Sequence, residues 1–127
     1  MKKIMLVLMA ALPFQSMATT QQNIELRIIQ TSDVHGCFFP YDFIERKPKE
    51  GTMARVITYV DSLRNIYGDR LLLLDNGDIL QGQPTCYYSN FVNPQQPNIA
   101  ASVINYMKYD AQTIGNHDVE TGHAVYD

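Results

Sequence analysis

The segment RLLLL at residues 70–74 restricts the fold of this chain more than any other feature of its sequence. The run is short, apolar and unbroken, and it ends abruptly at the polar sequence DNGD of residues 75–78. Such a run is typical of a β-strand that is buried on both faces, as the strands of parallel sheets are. The rest of the chain is therefore expected to alternate strands with helices in an α/β layer.

Two segments have the periodicity of amphipathic helices. From Thr52 to Tyr67 apolar residues recur at intervals of three and four, which predicts a helix that ends at Gly68. A second helix is predicted from Asn98 to Lys108, with Asn98 as its N-cap. The apolar face of this second helix is predicted to contain Ile99, Val103, Tyr106 and Met107.

Further strands are predicted before and after these helices. Residues Ile24 to Ile29 are rich in β-branched side chains and partly alternate, which predicts a strand. The polar residues from Thr31 onward end this strand. A brief third strand is predicted at 111–114, and a third helix at 118–126 in which Asp118 caps or starts the helix. Residues 36–51 and 79–97 contain prolines and glycines and are predicted as loops.

Polar residues follow each of the three predicted strands. Asp33 and His35 follow the first, Gly77 and Asp78 follow the second, and the sequence GNHD at 115–118 follows the third. Since the carboxyl ends of parallel strands meet at one edge of a sheet, these residues are expected to converge there. Carboxylate, amide and imidazole groups together suit Zn, Mn, Fe or a similar divalent ion, and the Asp78 carboxylate can bridge two ions. Strand alternation would point Asp33 and His35 the same way.

Several neighbouring residues have ordinary structural interpretations. Asp75 is predicted to make hydrogen bonds at the strand end rather than to bind metal. His123 is predicted to be an exposed helical residue, and Tyr87 and Tyr88 are predicted to pack back on the domain rather than to stack a base.

The first 18 residues, MKKIMLVLMAALPFQSMA, indicate a bacterial secretory signal. Two lysines precede an apolar run that is shorter than the roughly 20 residues needed to span a bilayer, so stable membrane insertion is not expected. Cleavage after Ala18 would leave residues 19–127 as the mature domain, in the periplasm or outside the cell. The mature chain would have eight basic and thirteen acidic residues. This acidic balance argues against binding to a nucleic-acid polymer.

An exported chain can form disulfides, and this one has two cysteines, Cys37 and Cys86. Both a bridge between them and a pair of free thiols remain open, because the sequence does not fix their separation.

The motifs DVH (33–35), GD (77–78) and GNHD (115–118) resemble those of the calcineurin-like metallophosphoesterase superfamily. Within it, the chain is similar to the N-terminal part of exported 5′-nucleotidases and 2′,3′-cyclic nucleotide phosphodiesterases. Further likeness lies in TSDVHG (31–36), GTMAR (51–55) and LDNGDILQGQP (74–84), so the resemblance extends from about Ile24 to the end. It implies an α/β fold, the N-terminal part of an α-β-β-α sandwich with parallel strands.

The resemblance also implies a role for each motif residue. Asp33 and His35 would bind the first of two divalent ions. Asp78 would bridge both ions, and Asn116 would bind the second. Asn116 and His117 would meet the substrate phosphate, and His117 would not bind metal. Glu120, three residues later, would orient His117. A hydroxide bridging the metals would attack a nucleotide or another phosphate ester.

One departure from the family pattern bears on the domain. The family completes its metal sites with a later lone His and a G-H-x-H pair, whereas this sequence has only His35, His117 and His123. The metallophosphoesterase domain at 19–127 is therefore predicted to be incomplete. Two alternatives follow: a truncated, non-catalytic remnant, or an exported hydrolase of the same fold that acts on a non-nucleotide ester. The sequence makes no prediction of oligomeric state.

Overall fold

A computed structural model describes residues 23–126 of the chain, so the predicted signal sequence lies outside the described residues. A parallel sheet is formed by β1 (Arg27–Thr31), β4 (Leu71–Asp75) and β5 (Ala111–Gln112), in the order β1-β4-β5. In the segment of the chain that connects β1 to β4, the short strands β2 (Tyr41–Asp42) and β3 (Lys47–Pro48) pair antiparallel and form a separate sheet. The predicted α/β layer with parallel strands is thus confirmed.

Helices connect and follow the strands of the parallel sheet. They are α1 (Met53–Tyr67), α2 (Pro84–Tyr87), α3 (Ile99–Met107), α4 (Asn116–Glu120) and α5 (His123–Tyr126), with a 3₁₀ turn at Gly68–Arg70 and a π-helical turn at Tyr88–Val92. Within residues 23–126, no helix has the length and apolar content needed to cross a membrane.

The two long helices confirm the predictions made from periodicity. α1 begins at Met53, one residue after Thr52, and ends at Tyr67, with Gly68 as its C-cap as predicted. The side chain of Asn98 caps α3 by accepting hydrogen bonds from the backbone N–H groups of Ala100 and Ala101, at 2.9 and 3.3 Å. The predicted apolar face of α3 was wrong at Tyr106, which is 78% exposed.

Several predicted boundaries were also wrong. The third strand ends at Gln112 and not at residue 114, and the predicted loop at 36–51 contains β2 and β3. β1 starts at Arg27 and reaches Thr31, because residues 27–31 pair in register with residues 71–75.

Residues 79–97 were predicted as a loop but are partly helical. Pro84 lies in the first turn of α2, where a backbone N–H would have no hydrogen-bond partner within the helix, so proline fits there. The predicted helix at 118–126 begins earlier, at Asn116, so Asp118 is not its first residue. It is also divided into two short helices, because Gly122 has a φ of +85°, which a right-handed helix does not accommodate.

The core lies between the sheet and α1 and α3. Its buried apolar residues are Phe38, Met53, Val60, Leu71, Leu73, Ile79, Cys86, Ala100 and Met107. β4, at the centre of the sheet, buries Leu71 and Leu73 fully but leaves Leu72 and Leu74 half-buried. The face of β4 that carries Leu71 and Leu73 is therefore buried as predicted, whereas the opposite face is only half-buried.

Both cysteines are free thiols in the structure. Cys86 is 1% exposed, whereas Cys37 is partly exposed. Burial, with smaller contributions from the Asp118 carboxylate and from Cys37, raises the pKa of the Cys86 thiol to about 12. Because the thiolate is the reactive species, burial and this raised pKa make Cys86 far less reactive at pH 8 than an ordinary thiol.

We expect a disulfide reagent such as DTNB to titrate one thiol of the native protein rapidly at pH 8, and the second only after unfolding. Cys37→Ser should remove the fast phase, and Cys86→Ser should leave it unchanged. A chain that shows no thiol until it is reduced would contradict this expectation and would establish the disulfide.

Candidate metal centre

The loops that follow the three parallel strands meet at one edge of the sheet. The register aligns Thr31 with Asp75 and Asp75 with Gln112, so the carboxyl ends of the strands lie side by side. The backbone N–H of Asp33 donates to the carbonyl of Gly77 at 3.1 Å, and that of His35 donates to the carbonyl of Asp78 at 2.8 Å. The first two polar motifs are thereby in direct contact, as the sequence predicted.

Three side chains of these loops form a cluster of metal-binding groups. Ligand atoms of His35, Asp78 and His117 all lie within 4.8 Å of one another. The two imidazole rings meet edge to face with their centroids 5.2 Å apart, while Asp78 is 7% exposed. One carboxylate and two imidazoles form a donor set that fits Zn, Mn or Fe. The structure thus places His117, which was not predicted as a ligand, within the same 4.8 Å group as Asp78 and the predicted ligand His35.

The other predicted ligands lie beside this cluster. Asp33 is exposed, and its carboxylate accepts a hydrogen bond from the hydroxyl of Ser32. Asn116 is the first residue of α4 and is also exposed. Asp33 does not belong to the group formed by His35, Asp78 and His117.

The backbone at three predicted ligands is left-handed. Asp33, His35 and Asp78 have φ values of +55°, +49° and +59°. Positive φ is uncommon for residues other than glycine, although Asp and His adopt it more often than most. The argument that strand alternation points Asp33 and His35 the same way was wrong, because β1 ends at Thr31 and both residues lie in the turn beyond it.

His117 is held by contacts through its ring and its backbone. Its Nδ1 lies 3.0 Å from Oε2 of Glu120, and its backbone N–H donates to Oδ1 of Asp78 at 2.8 Å. The hydrogen bond to Glu120 is the main cause of a raised His117 pKa, and the charges of Glu120, Asp78 and Asp33 add to it. Because Nδ1 is occupied by the carboxylate, Nε2 is the ring nitrogen left for another partner.

Two buried aspartates support the site without joining the cluster. Asp75 is 2% exposed and accepts hydrogen bonds from the Thr31 hydroxyl at 2.6 Å and from the Gly77 N–H at 3.2 Å, which confirms its predicted strand-end role. Asp118 is 1% exposed and accepts bonds from four backbone N–H groups, a role that sequence reasoning missed. Nothing local in the sequence distinguishes this Asp from an ordinary helix cap.

Gln81, Gly82, Tyr87 and Phe91 are among the residues that line a cavity of about 560 Å³. One of them contacts the cluster, because the carbonyl oxygen of Gln81 lies 3.2 Å from Nδ1 of His35. Tyr87 is 63% exposed and Tyr88 is 56% exposed, so the prediction that both pack back on the domain was wrong.

Comparison with known proteins places these features in context. No protein-family model matches the chain. Over 117 residues it is 28% identical to the trifunctional nucleotide phosphoesterase protein YfkN of Bacillus subtilis, a match that covers 87% of this chain and 8% of that protein. Over 110 residues it is 29% identical to the 2′,3′-cyclic-nucleotide 2′-phosphodiesterase/3′-nucleotidase of Haemophilus influenzae, covering 84% of this chain and 17% of that protein. The chain thus spans less than a fifth of the length of either relative.

The fold of a solved structure supports this sequence similarity. The calcineurin-like phosphoesterase YfkN from Bacillus subtilis superposes with a TM-score of 0.70 and 30% sequence identity, covering 79% of this chain and 32% of that chain. The sequence relatives are named as hydrolases of nucleotide esters. By sequence and by fold, the chain is therefore similar to the N-terminal portion of calcineurin-like phosphoesterases.

Proposed function

We propose that this chain supplies part of the active site of a metal-dependent hydrolase of nucleotide phosphate esters. The observation that carries the proposal is the cluster of His35, Asp78 and His117 at the carboxyl edge of the parallel sheet, with Glu120 bonded to His117. Ligands of α/β sheets bind at this edge. Because the chain spans less than a fifth of its relatives, the activity proposed is that of the protein made from the complete coding sequence.

The proposed metal ligands follow from the resemblance and suit their surroundings. Asp33 and His35 would hold a first ion, Asp78 would be shared, and Asn116 would hold a second ion and meet the phosphate. The hydrogen bond from Nδ1 of His35 to the Gln81 carbonyl fixes the ring and leaves Nε2 as its ligand atom. Divalent ions of the Zn, Mn or Fe kind, when bound, supply Lewis-acid polarisation of phosphoryl oxygens and activation of water.

His117 and Glu120 form the catalytic pair in this proposal. Glu120 holds the proton on Nδ1 and orients the ring, so that Nε2 faces the phosphate. Protonated His117 would stabilise the negative charge that develops on the phosphate and donate a proton to the leaving oxygen. This assignment leaves His117 outside the metal ligand set despite its proximity to Asp78.

The proposed substrates are nucleoside monophosphates or 2′,3′-cyclic nucleotides, because the sequence relatives are named for nucleotide esters.

We also propose that the protein is exported, on the strength of its first 18 residues. The intact mass of the exported product should correspond to loss of residues 1–18, and a retained N-terminus would contradict export by this signal.

Metal removal tests the activity. Protein expressed from the complete coding sequence and stripped with EDTA should release no phosphate from AMP or from 3′-AMP, and should not open 2′,3′-cyclic AMP. Added Mn²⁺ or Zn²⁺ should restore turnover by at least about 100-fold, because the ions would polarise the phosphoryl oxygens and activate the attacking water, which His117 alone would not do. Glycerol phosphate, an ester without a base, serves as the comparison substrate.

Each alternative predicts a different outcome of this assay. Turnover of glycerol phosphate or other base-free esters, with none of the nucleotides, would identify a hydrolase of non-nucleotide esters. No turnover of any ester at saturating Mn²⁺ or Zn²⁺ would identify a non-catalytic remnant.

A further inference from the structure

The carboxylate of Asp118 lies between the loop that follows β4 and the start of α4. Its Oδ2 accepts hydrogen bonds from the backbone N–H groups of Asp78 at 2.7 Å and Gly115 at 3.0 Å. Its Oδ1 accepts from those of Ile79 at 2.9 Å and Leu80 at 2.7 Å. An ionised carboxylate has about four acceptor positions, so all of them are used.

The loops are tied in the opposite direction as well. Oδ1 of Asp78, in the loop after β4, accepts from the backbone N–H of His117 in α4 at 2.8 Å. The loop that follows β4 and the helix α4 therefore each provide a carboxylate that binds the backbone of the other segment or its start. We call this reciprocal arrangement of Asp78 and Asp118 the carboxylate clasp.

Resting on the proposed function, we propose that Asp118 is a positioning residue for the metal site, which acts by fixing the backbone of Asp78 and its distance from His117. Asp78 has the uncommon φ of +59°, and such a conformation persists when surrounding bonds hold it. Asp118 is 1% exposed and both of its oxygens are occupied, so it serves the metal through Asp78 and not as a ligand.

The bonding pattern requires a carboxylate and excludes its closest neutral analogue. Each oxygen of Asp118 serves two N–H donors. In Asp118→Asn, either orientation of the amide directs its NH₂ group at two backbone donors. At least two of these four backbone N–H groups then lose their acceptor, and the segments that carry them must rearrange to satisfy them.

The test compares Mn²⁺ affinity in protein from the complete coding sequence, measured by titration calorimetry well below the melting temperature of each variant. Asp118→Asn should bind Mn²⁺ about 10–100-fold more weakly, the usual cost of losing a residue that orients a ligand. The matched control is Val60→Ala, a fully buried α1 position, which should lower the melting temperature but change the affinity less than twofold. Wild-type affinity in Asp118→Asn would overturn this inference alone, whereas a wild-type protein that binds no metal would overturn the proposed function with it.

If Asp118→Asn does not fold, amide hydrogen exchange of the wild-type protein tests whether Asp118 holds the backbone around Asp78. The N–H groups of Asp78, Ile79, Leu80 and Gly115 lie outside the helices and strands, yet the carboxylate clasp predicts that they exchange slowly. Exchange as fast as that of the exposed loop at residues 43–46 would show that the clasp does not hold the site.

Discussion

Replacing His117 by Asn is expected to lower kcat for a nucleotide ester by about 10²–10⁴-fold while the bound metal is retained. Asn removes the imidazole that would donate a proton to the leaving oxygen, and it breaks the 3.0 Å contact with Glu120. The backbone N–H at this position would still donate to Asp78, so the carboxylate clasp would remain. The result should therefore be a loss of chemistry without a loss of metal.

Steady-state kinetics and metal content, determined by mass spectrometry on the same preparation, separate these two quantities. His123→Asn is the matched control, because His123 lies on α5, contacts Tyr126 and is outside the cluster. This control should keep kcat within about twofold, as surface substitutions away from a site usually do. If His117→Asn loses metal in proportion to activity, His117 is a ligand and the proposed catalytic role is wrong.

Replacing Gly115 by Ala is expected to destabilise the fold by about 3 kcal/mol, the upper end of the usual range for overpacking, and to weaken metal binding strongly. An added Cβ would lie 2.6 Å from both Cγ and the backbone N of Asp78, and closer still to Oδ1. The φ of Gly115 is −90°, which alanine adopts freely, so the effect is steric and not conformational. Either Asp78 must leave its position or the two loops must separate.

Thermal unfolding and Mn²⁺ titration of the protein from the complete coding sequence would measure both effects. Gly122→Ala is the control, because Gly122 has a φ of +85° and an added Cβ there meets no atom within 4 Å. It should lose only the roughly 1–2 kcal/mol of a left-handed non-glycine residue and keep its metal affinity. Equal stability and equal affinity in the two variants would show that the loops do not approach as closely as described.

The parts of the fold that depend on local signals could be predicted from the sequence. The period of α1 and the cap at Asn98 involve residues within a few positions of one another, so each was visible in the chain. The limits of β1 could not be predicted, because pairing with residues 71–75 sets them. Pro84 was misread for a related reason, since only its place in the first turn of α2 shows that it starts a helix rather than a loop.

The same division applies to the candidate site. Polar motifs after strands predicted which loops would meet, because parallel strands share an edge. The role of Asp118 could not be predicted, since three of its four donors lie 38–40 residues earlier in the chain. The argument from strand alternation failed for Asp33 and His35 because the backbone leaves the strand before either residue.

The left-handed backbone at Asp33 and His35 has a consequence for the history of this chain. Glycine adopts such a conformation without steric cost, and asparagine tolerates it well, so either residue would preserve the local fold at both positions. Folding alone therefore does not maintain an aspartate or a histidine there. In a lineage released from selection for catalysis, these two codons should drift toward glycine and asparagine sooner than the codons of the buried core. A survey of natural variants at positions 33 and 35 would thus distinguish an enzyme under selection from a decaying remnant without any assay.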